Sequence, residues 1–171
     1  MKLILMMAQT VDGIIAKDSQ HNANWTTKAD KKSFLEETKK HGVIIMGSAT
    51  YLAIGKALPG RLNFILSSAP KKFKGEEKPG ELEFVNGQPN EILQMLEKRG
   101  FQSAVLAGGA RTNAAFLKKN LVDEILITIE PKIFGTGLNF TEGQDLDLNL
   151  ALIESRNLGD NTVQLRYKVI K

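Results

Sequence analysis

The sequence predicts an α/β fold: a central, mostly parallel twisted β-sheet with helices on both faces and an antiparallel C-terminal edge strand. Three observations predict it. Apolar runs of strand length, rich in β-branched and aromatic residues, alternate with helix-like stretches through most of the chain. Several runs are apolar almost throughout, as strands covered on both faces are. The alternation then stops, and two β segments close the chain around a Gly-Asp-Asn turn, the signature of a hairpin.

The elements follow in order. LILMMAQ (3–9) is the first strand. The N-terminal run MKLILMMAQTVDG is too short to span a membrane and lacks the small-residue cleavage pattern of a secretory signal, so a cytoplasmic protein without a membrane partner is expected. TKADKKSFLEETKKHG reads as a helix with Thr27 as N-cap and Gly42 as its stop. Strands are expected at GVIIMG (42–47), LNFILSS (62–68), LEFV (82–85), SAVLAGG (103–109) and EILITIEP (124–131). EILQMLEKRG (91–100) and RTNAAFLKKNL (111–121) supply helices between them. The breaker-rich stretch 67–84 is a surface connection within one domain, residues 1–171. LALIESRNL and TVQLRYKVI, joined by GDN (159–161), make the closing hairpin.

Composition narrows the chemistry. The 171 residues are 42% hydrophobic and 25% charged, ordinary for a globular chain able to bury a core. The absence of cysteine excludes disulfides, thiolate metal sites and a Cys nucleophile. With only His21 and His41, a His-rich metal site is not expected, and no metal is predicted. His21 reads as a solvated loop residue, and His41 suits a helix C-terminus. The net charge of +4 is scattered over lysines, which fits either a solvated surface or a field drawing an anionic ligand. No basic run is interleaved with aromatics, so no nucleic-acid partner is expected.

In such sheets ligands lie beyond the carboxyl ends of the parallel strands. Three strand ends there are glycine- or hydroxyl-rich: MGSATY (46–51), SS (67–68) and AGGA (107–110). Each alone is ordinary turn chemistry. A glycine pair opening a helix also admits a phosphate to free N–H groups, and three such ends on one edge suggest a dinucleotide lying across it. The usual G-x-G-x-x-G fingerprint is absent. Asp30 shares a helix face with Phe34 at i and i+4. It is either a dipole-favoured acid at a helix start or a desolvated acid suited to proton chemistry.

These segments together resemble dihydrofolate reductase. VIIMGSATYLAIGKA followed by LPGRLNFILSS (58–68) is similar to the family's central signature, a strand ending in Met-Gly, a Thr-aromatic pair, then Leu-Pro-Gly-Arg and a strand closing on Ser-Ser. LMMAQTVDGIIA, the Trp-x4-Asp-x3-Phe pattern of 25–34, AGGARTNAAFL and ILITIE extend the likeness over about three-quarters of the chain. TVDGIIA (10–16) and LVDEILITIEPKIFGTGLNF (121–140) look more like the related reductase domain of riboflavin biosynthesis.

The resemblance implies NADPH-dependent reduction of 7,8-dihydrofolate to tetrahydrofolate. Asp30 becomes the carboxylate of the pterin pocket, accepting two adjacent N–H donors, with Thr128 bridging it to the pterin amino group. Met7 and Ala8 supply backbone contacts near the ring, and Phe34, Ile54 and Leu58 line the substrate. Arg61 would hold the α-carboxylate of the glutamate tail. On the cofactor side, Ala8 and Ile15 hold the carboxamide, and Gly47, Ser48, Ala49 and Thr50 face the phosphates with Ala107, Gly108, Gly109, Ala110 and Thr112. Leu66, Ser67, Ser68 and Arg111 lie toward the adenosine 2′-phosphate. The loop AKDSQHNANW (16–25) would close over the nicotinamide.

Four features depart from the family pattern: Ser48 replaces a basic residue, Asn113 a tyrosine and Lys31 an apolar residue. The loop before Trp25 lacks a shielding methionine. The alternatives are a 5-amino-6-(5-phosphoribosylamino)uracil reductase and a non-catalytic NADPH-binding module. A monomer is favoured over a homodimer, since folate reductases are commonly single subunits and the riboflavin enzymes pair.

Overall fold

A computed structural model describes residues 1–18 and 21–171. Its elements run β1 (Lys2–Thr10), β2 (Ile14–Ala16), α1 (Lys28–His41), β3 (Val43–Gly47), α2 (Ser48–Ile54), β4 (Leu62–Leu66) and β5 (Leu82–Val85). They continue with α3 (Pro89–Lys98), β6 (Ser103–Leu106), α4 (Ala110–Lys118), β7 (Glu124–Glu130), β8 (Leu138–Asn139), β9 (Leu150–Gly159) and β10 (Thr162–Val169). Eight strands form one sheet in the order β5-β4-β3-β6-β1-β7-β10-β9, while β2 and β8 pair as a separate small ribbon. From β5 across to β7 every pairing is parallel. β10 lies antiparallel between β7 and β9, so the predicted antiparallel edge is a hairpin whose inner strand carries the reversal.

Period-two alternation decides the layers. On β1, Leu3 and Leu5 face one core with Ile45, Phe64, Ile92, Leu96 and Phe116, the side covered by α3 and α4. Ile4 and Met6 face the other way, where Phe34 of α1 packs against them. Next to them Ile44, Met46 and Ile65 pack under Tyr51 of α2. Each of these large aliphatic side chains contributes about 1.5–3 kcal/mol by leaving water. The central strands are apolar on both faces because both are covered.

The ends of α1 follow its sequence. Thr27 Oγ1 accepts the Asp30 N–H at 3.2 Å, and Gly42 closes the helix at φ 72°, a left-handed conformation that glycine adopts without strain. The closing hairpin turns at Asp160 and Asn161, whose φ values of 53° and 58° match the right-handed twist of the strands. The 67–84 connection is held down by Phe73, stacked on Phe84 at 4.3 Å between ring centres. The ribbon of β2 with β8 has no counterpart in the sequence-based expectation, since two- and three-residue strands leave no periodic signal.

Candidate functional site

The carboxyl ends of the parallel strands meet as predicted. Gly47 N–H donates to Gly108 O at 2.8 Å, Ala107 N–H donates to Ile45 O at 2.8 Å, and Gly47 pairs in register with Leu66. The first turns of α2 and α4 therefore stand side by side. A Cβ on Gly47 would come within 2.7 Å of Thr112 Oγ1 and force it to shift, and one on Gly109 would crowd Thr50 Oγ1 at 3.1 Å, so the glycines ease this approach. Met7 packs against Gly108, where its Sδ would be 3.1 Å from an added Cβ. The Gly108–Gly109 peptide bond is cis. The N-cap residues, Gly47 and Gly109, have no side chain to cap their helices, so among the described residues two sets of first-turn N–H groups lie next to one another uncapped. This donor set fits a diphosphate: small residues admit the oxygens, and two positive helix ends stabilise their charge.

The remaining nucleotide-side residues are more dispersed. Ala49 and Ser68 are exposed, Ser48 and Ala110 sit in the helix first turns, and Ser67 Oγ accepts the Ala69 N–H at 3.1 Å. Arg111 is exposed and paired with Glu142 at 2.9 Å. Asn113 is fully buried; its amide donates to Phe140 O at 3.0 Å, while Oδ1 has no hydrogen-bond partner among the described residues.

Two strands along the sheet from the glycine turn, beside Thr128 of β7, Asp30 lies on α1 with only 7% of its surface exposed. Burial raises its carboxyl above the ordinary aspartate value, and the hydroxyls of Thr128 and Thr26 and the Lys31 charge only partly offset this. Thr128 is fully buried on β7, in register with Ala8. Beneath it Gln164 of β10 donates to Thr128 Oγ1 at 3.1 Å and to Ser33 Oγ at 2.9 Å. Phe34, Ile54 and Leu58 are half-buried and pack along the same side of the sheet. Lys31 points outward, its Nζ donating to Asn24 O at 3.2 Å.

Arg61 is also buried. Its Nε and Nη2 donate to Pro59 O at 3.2 and 2.9 Å, and its Nη1 bonds Thr38 Oγ1. No acid forms an ion pair with it among the described residues, and burial pushes the guanidinium below its ordinary value.

Of the loop 16–25, Ser19 and Gln20 lie outside the described residues. Ile15 stands on β2, which opens that segment. His21 is not simply solvated: its ring is half-buried, stacking with Trp25 and meeting Phe134 edge-on at 5.4 Å. Asp12 anchors the base of the loop by accepting the Gly135 N–H at 2.7 Å and bonding Thr10 Oγ1.

One residue escaped the sequence-based expectations. Glu130, two positions after Thr128 on the same face of β7, has no exposed surface and accepts the Thr27 N–H at 3.1 and 3.2 Å. The Thr-x-Glu spacing in ITIE could have shown the shared face, but its partner lies 103 residues away in sequence.

A model of the dihydrofolate reductase family, described as "Dihydrofolate reductase", matches residues 2–144, and the chain belongs to that family. The protein is thus a reductase of a family that takes NADPH as cofactor, acting on a small molecule. Among individual relatives, the uncharacterised Bacillus subtilis protein YwjB is 22% identical, the match covering 97% of each chain. A second, YyaP, is 23% identical over 97% of this chain and 94% of its own. Among solved structures, a putative riboflavin biosynthesis protein from Shewanella superimposes over the whole of both chains with a TM-score of 0.77 and 23% identity. The Thermotoga maritima diaminohydroxyphosphoribosylaminopyrimidine deaminase/5-amino-6-(5-phosphoribosylamino)uracil reductase gives a TM-score of 0.81 at 19% identity, covering 99% of this chain and 56% of that one. Enterococcus faecalis dihydrofolate reductase complexed with NADP(H) gives 0.73 at 19% identity, covering 99% and 97%.

Proposed function

We propose that the protein reduces 7,8-dihydrofolate to 5,6,7,8-tetrahydrofolate with NADPH. The observation that carries this reading is the buried Asp30 carboxyl beside Thr128 of β7, with β1 between it and the glycine turn at 108–109. A pterin presents two neighbouring N–H donors on one ring edge, and an ionised carboxylate accepts both in bidentate geometry. Thr128, held by Gln164, offers its hydroxyl to the same edge. Phe34, Ile54 and Leu58 would wall the ring and exclude water, which strengthens those polar contacts. Arg61 supports a substrate carrying a carboxylate. Three of the five guanidinium N–H groups are taken by Pro59 O and Thr38 Oγ1, and the other two remain for an anion.

NADPH, when bound, supplies the hydride. Gly47, Thr50, Gly108, Gly109 and Thr112, with the free N–H groups of the two helix starts, would hold its diphosphate. Met7 and Ala8 would present backbone groups to the ring region, and Ile15 to the carboxamide. Leu66, Ser67, Ser68 and Arg111 would face the adenosine end. Arg111 must exchange Glu142 for a phosphate to do so, which its exposure permits.

A second reading is reduction of 5-amino-6-(5-phosphoribosylamino)uracil. It is favoured by the backbone match to the Thermotoga maritima enzyme, which exceeds that to the folate enzyme. Both substrates offer a pyrimidine edge to one carboxylate, but only the folate carries a carboxylate tail for Arg61. The deciding experiment follows the loss of NADPH absorbance with each substrate. Turnover with dihydrofolate alone supports the first reading, and turnover with the ribosylamino-pyrimidine alone replaces it.

A further inference from the structure

The acid end holds a second carboxylate with no part in the reduction as described. Glu130 is completely buried and forms no ion pair among the described residues. Its Oε1 stands 3.1 Å from Thr27 Oγ1, which stands 3.1 Å from Thr162 Oγ1, which in turn donates to Asp160 O at 3.2 Å. Three contacts in a row therefore join one carboxyl, two hydroxyls and one carbonyl. Each hydroxyl carries a single proton, so the two threonines can serve only two of the three contacts. A proton on Glu130 supplies the third: Glu130 donates to Thr27, Thr27 to Thr162 and Thr162 to Asp160 O. Thr27 Oγ1 still has a lone pair for the Asp30 N–H it accepts at 3.2 Å.

We propose that Glu130 is held as the neutral acid at working pH and is a positioning residue. Its proton completes the chain that fixes the first turn of α1, leaving Asp30 to carry the negative charge of the cleft alone. Burial pushes the Glu130 carboxyl above its ordinary value and the Asp30 charge adds to this, while the Thr27 N–H and hydroxyl and the Lys132 charge offset it only in part; the net direction is the one the proton count requires. The charges acting on it are Asp30 of α1 and Lys132 just past β7; Lys31 acts on Asp30, and Asp160 of the β9–β10 turn accepts the Ala29 N–H. β10 offers only the neutral Thr162 and Gln164 at this point. An ionised Glu130 would repel Asp30 and leave one contact of the chain without a proton.

The test has two parts, since the consequence for rate rests on the folate reading while the proton does not. Carbon-13 NMR of the unmodified protein with labelled glutamate carboxyls, assigned through the backbone, should show Glu130 as the protonated acid at neutral pH. A carboxylate signal for Glu130 at neutral pH would overturn the proposal even if dihydrofolate is not the substrate. In steady-state assays with NADPH and dihydrofolate, the wild-type rate should fall at alkaline pH as Glu130 ionises. Glu130→Gln, which keeps a donor toward Thr27, should match the wild-type kcat within about threefold at neutral pH and lose that alkaline fall. An identical alkaline fall in both proteins would sink the positioning role. Absence of turnover in the wild type would count against the substrate assignment and leave the NMR result to decide the proton.

Discussion

At the scale of single residues, the site is built from polar groups the fold keeps from water, each with a distinct job. Asp30→Asn should keep NADPH binding but lower kcat with dihydrofolate about 100-fold or more at neutral pH, because an amide cannot accept both pyrimidine N–H groups. Unchanged kinetics would remove Asp30 from the mechanism. Arg61→Ala should raise KM for dihydrofolate about 30-fold with little change in kcat, the pattern of lost ground-state binding. An unaltered KM would argue against a substrate carboxylate at Arg61. Asp30 and Arg61 were singled out in the sequence through the Trp-x4-Asp-x3-Phe spacing and the Leu-Pro-Gly-Arg run, and both are buried. Glu130 was not, because what makes it special is a contact with Thr27 that only the packing of α1 on β7 creates.

At the scale of elements, α1 carries the acid at its first turn and is pinned at its last turns by charge. Glu37 meets Arg166 of β10 at 2.8 Å, Arg166 meets Glu124 of β7 at 2.9 Å, and Glu124 meets Lys2 of β1 at 2.6 Å. His41 Nε2 lies 3.5 Å from Glu37, a longer contact than those of Arg166. His41, followed by Arg166, holds the Glu37 carboxyl down to about 2. A lowered carboxyl stabilises the fold above its unfolded value of 4.5 and loses that contribution as pH falls toward about 2. Glu37→Gln should therefore cost about 2 kcal/mol in urea unfolding at neutral pH, and the gap from wild type should close on acidification through that window. A gap that is independent of pH would contradict the electrostatic account. β9 shows the opposite case of legibility. The sequence places it in the closing edge hairpin, but the hairpin pattern does not reveal that Leu150, Leu152 and Ile153 are exposed at 42%, 57% and 51% on a strand with no neighbour beyond it in the sheet.

At the scale of the molecule, the glycine turns and the acid end sit on one sheet whose parallel strands all deliver their carboxyl ends to the same rim. NADPH at about 100 times its Kd should stabilise the protein by about 2.7 kcal/mol, a rise in Tm of roughly 5–10 °C by scanning fluorimetry. No rise would count against the cradle at 47–50 and 108–112. The sheet itself was legible because β3, β4 and β6 are largely apolar on both faces, a pattern that burial in two layers imposes and local chemistry displays. The polar bed under Asp30 was less so, since Ser33, Thr128 and Gln164 are ordinary residue types whose meeting depends on the final register of β10. That register has a consequence for how the protein comes into being. β10 follows every other element in chain order, yet it wedges between two strands made before it and brings Thr162 and Gln164 under the acid. The polar bed beneath Asp30 therefore cannot be complete in a nascent chain until the last strand has emerged and docked, whatever the earlier strands have done.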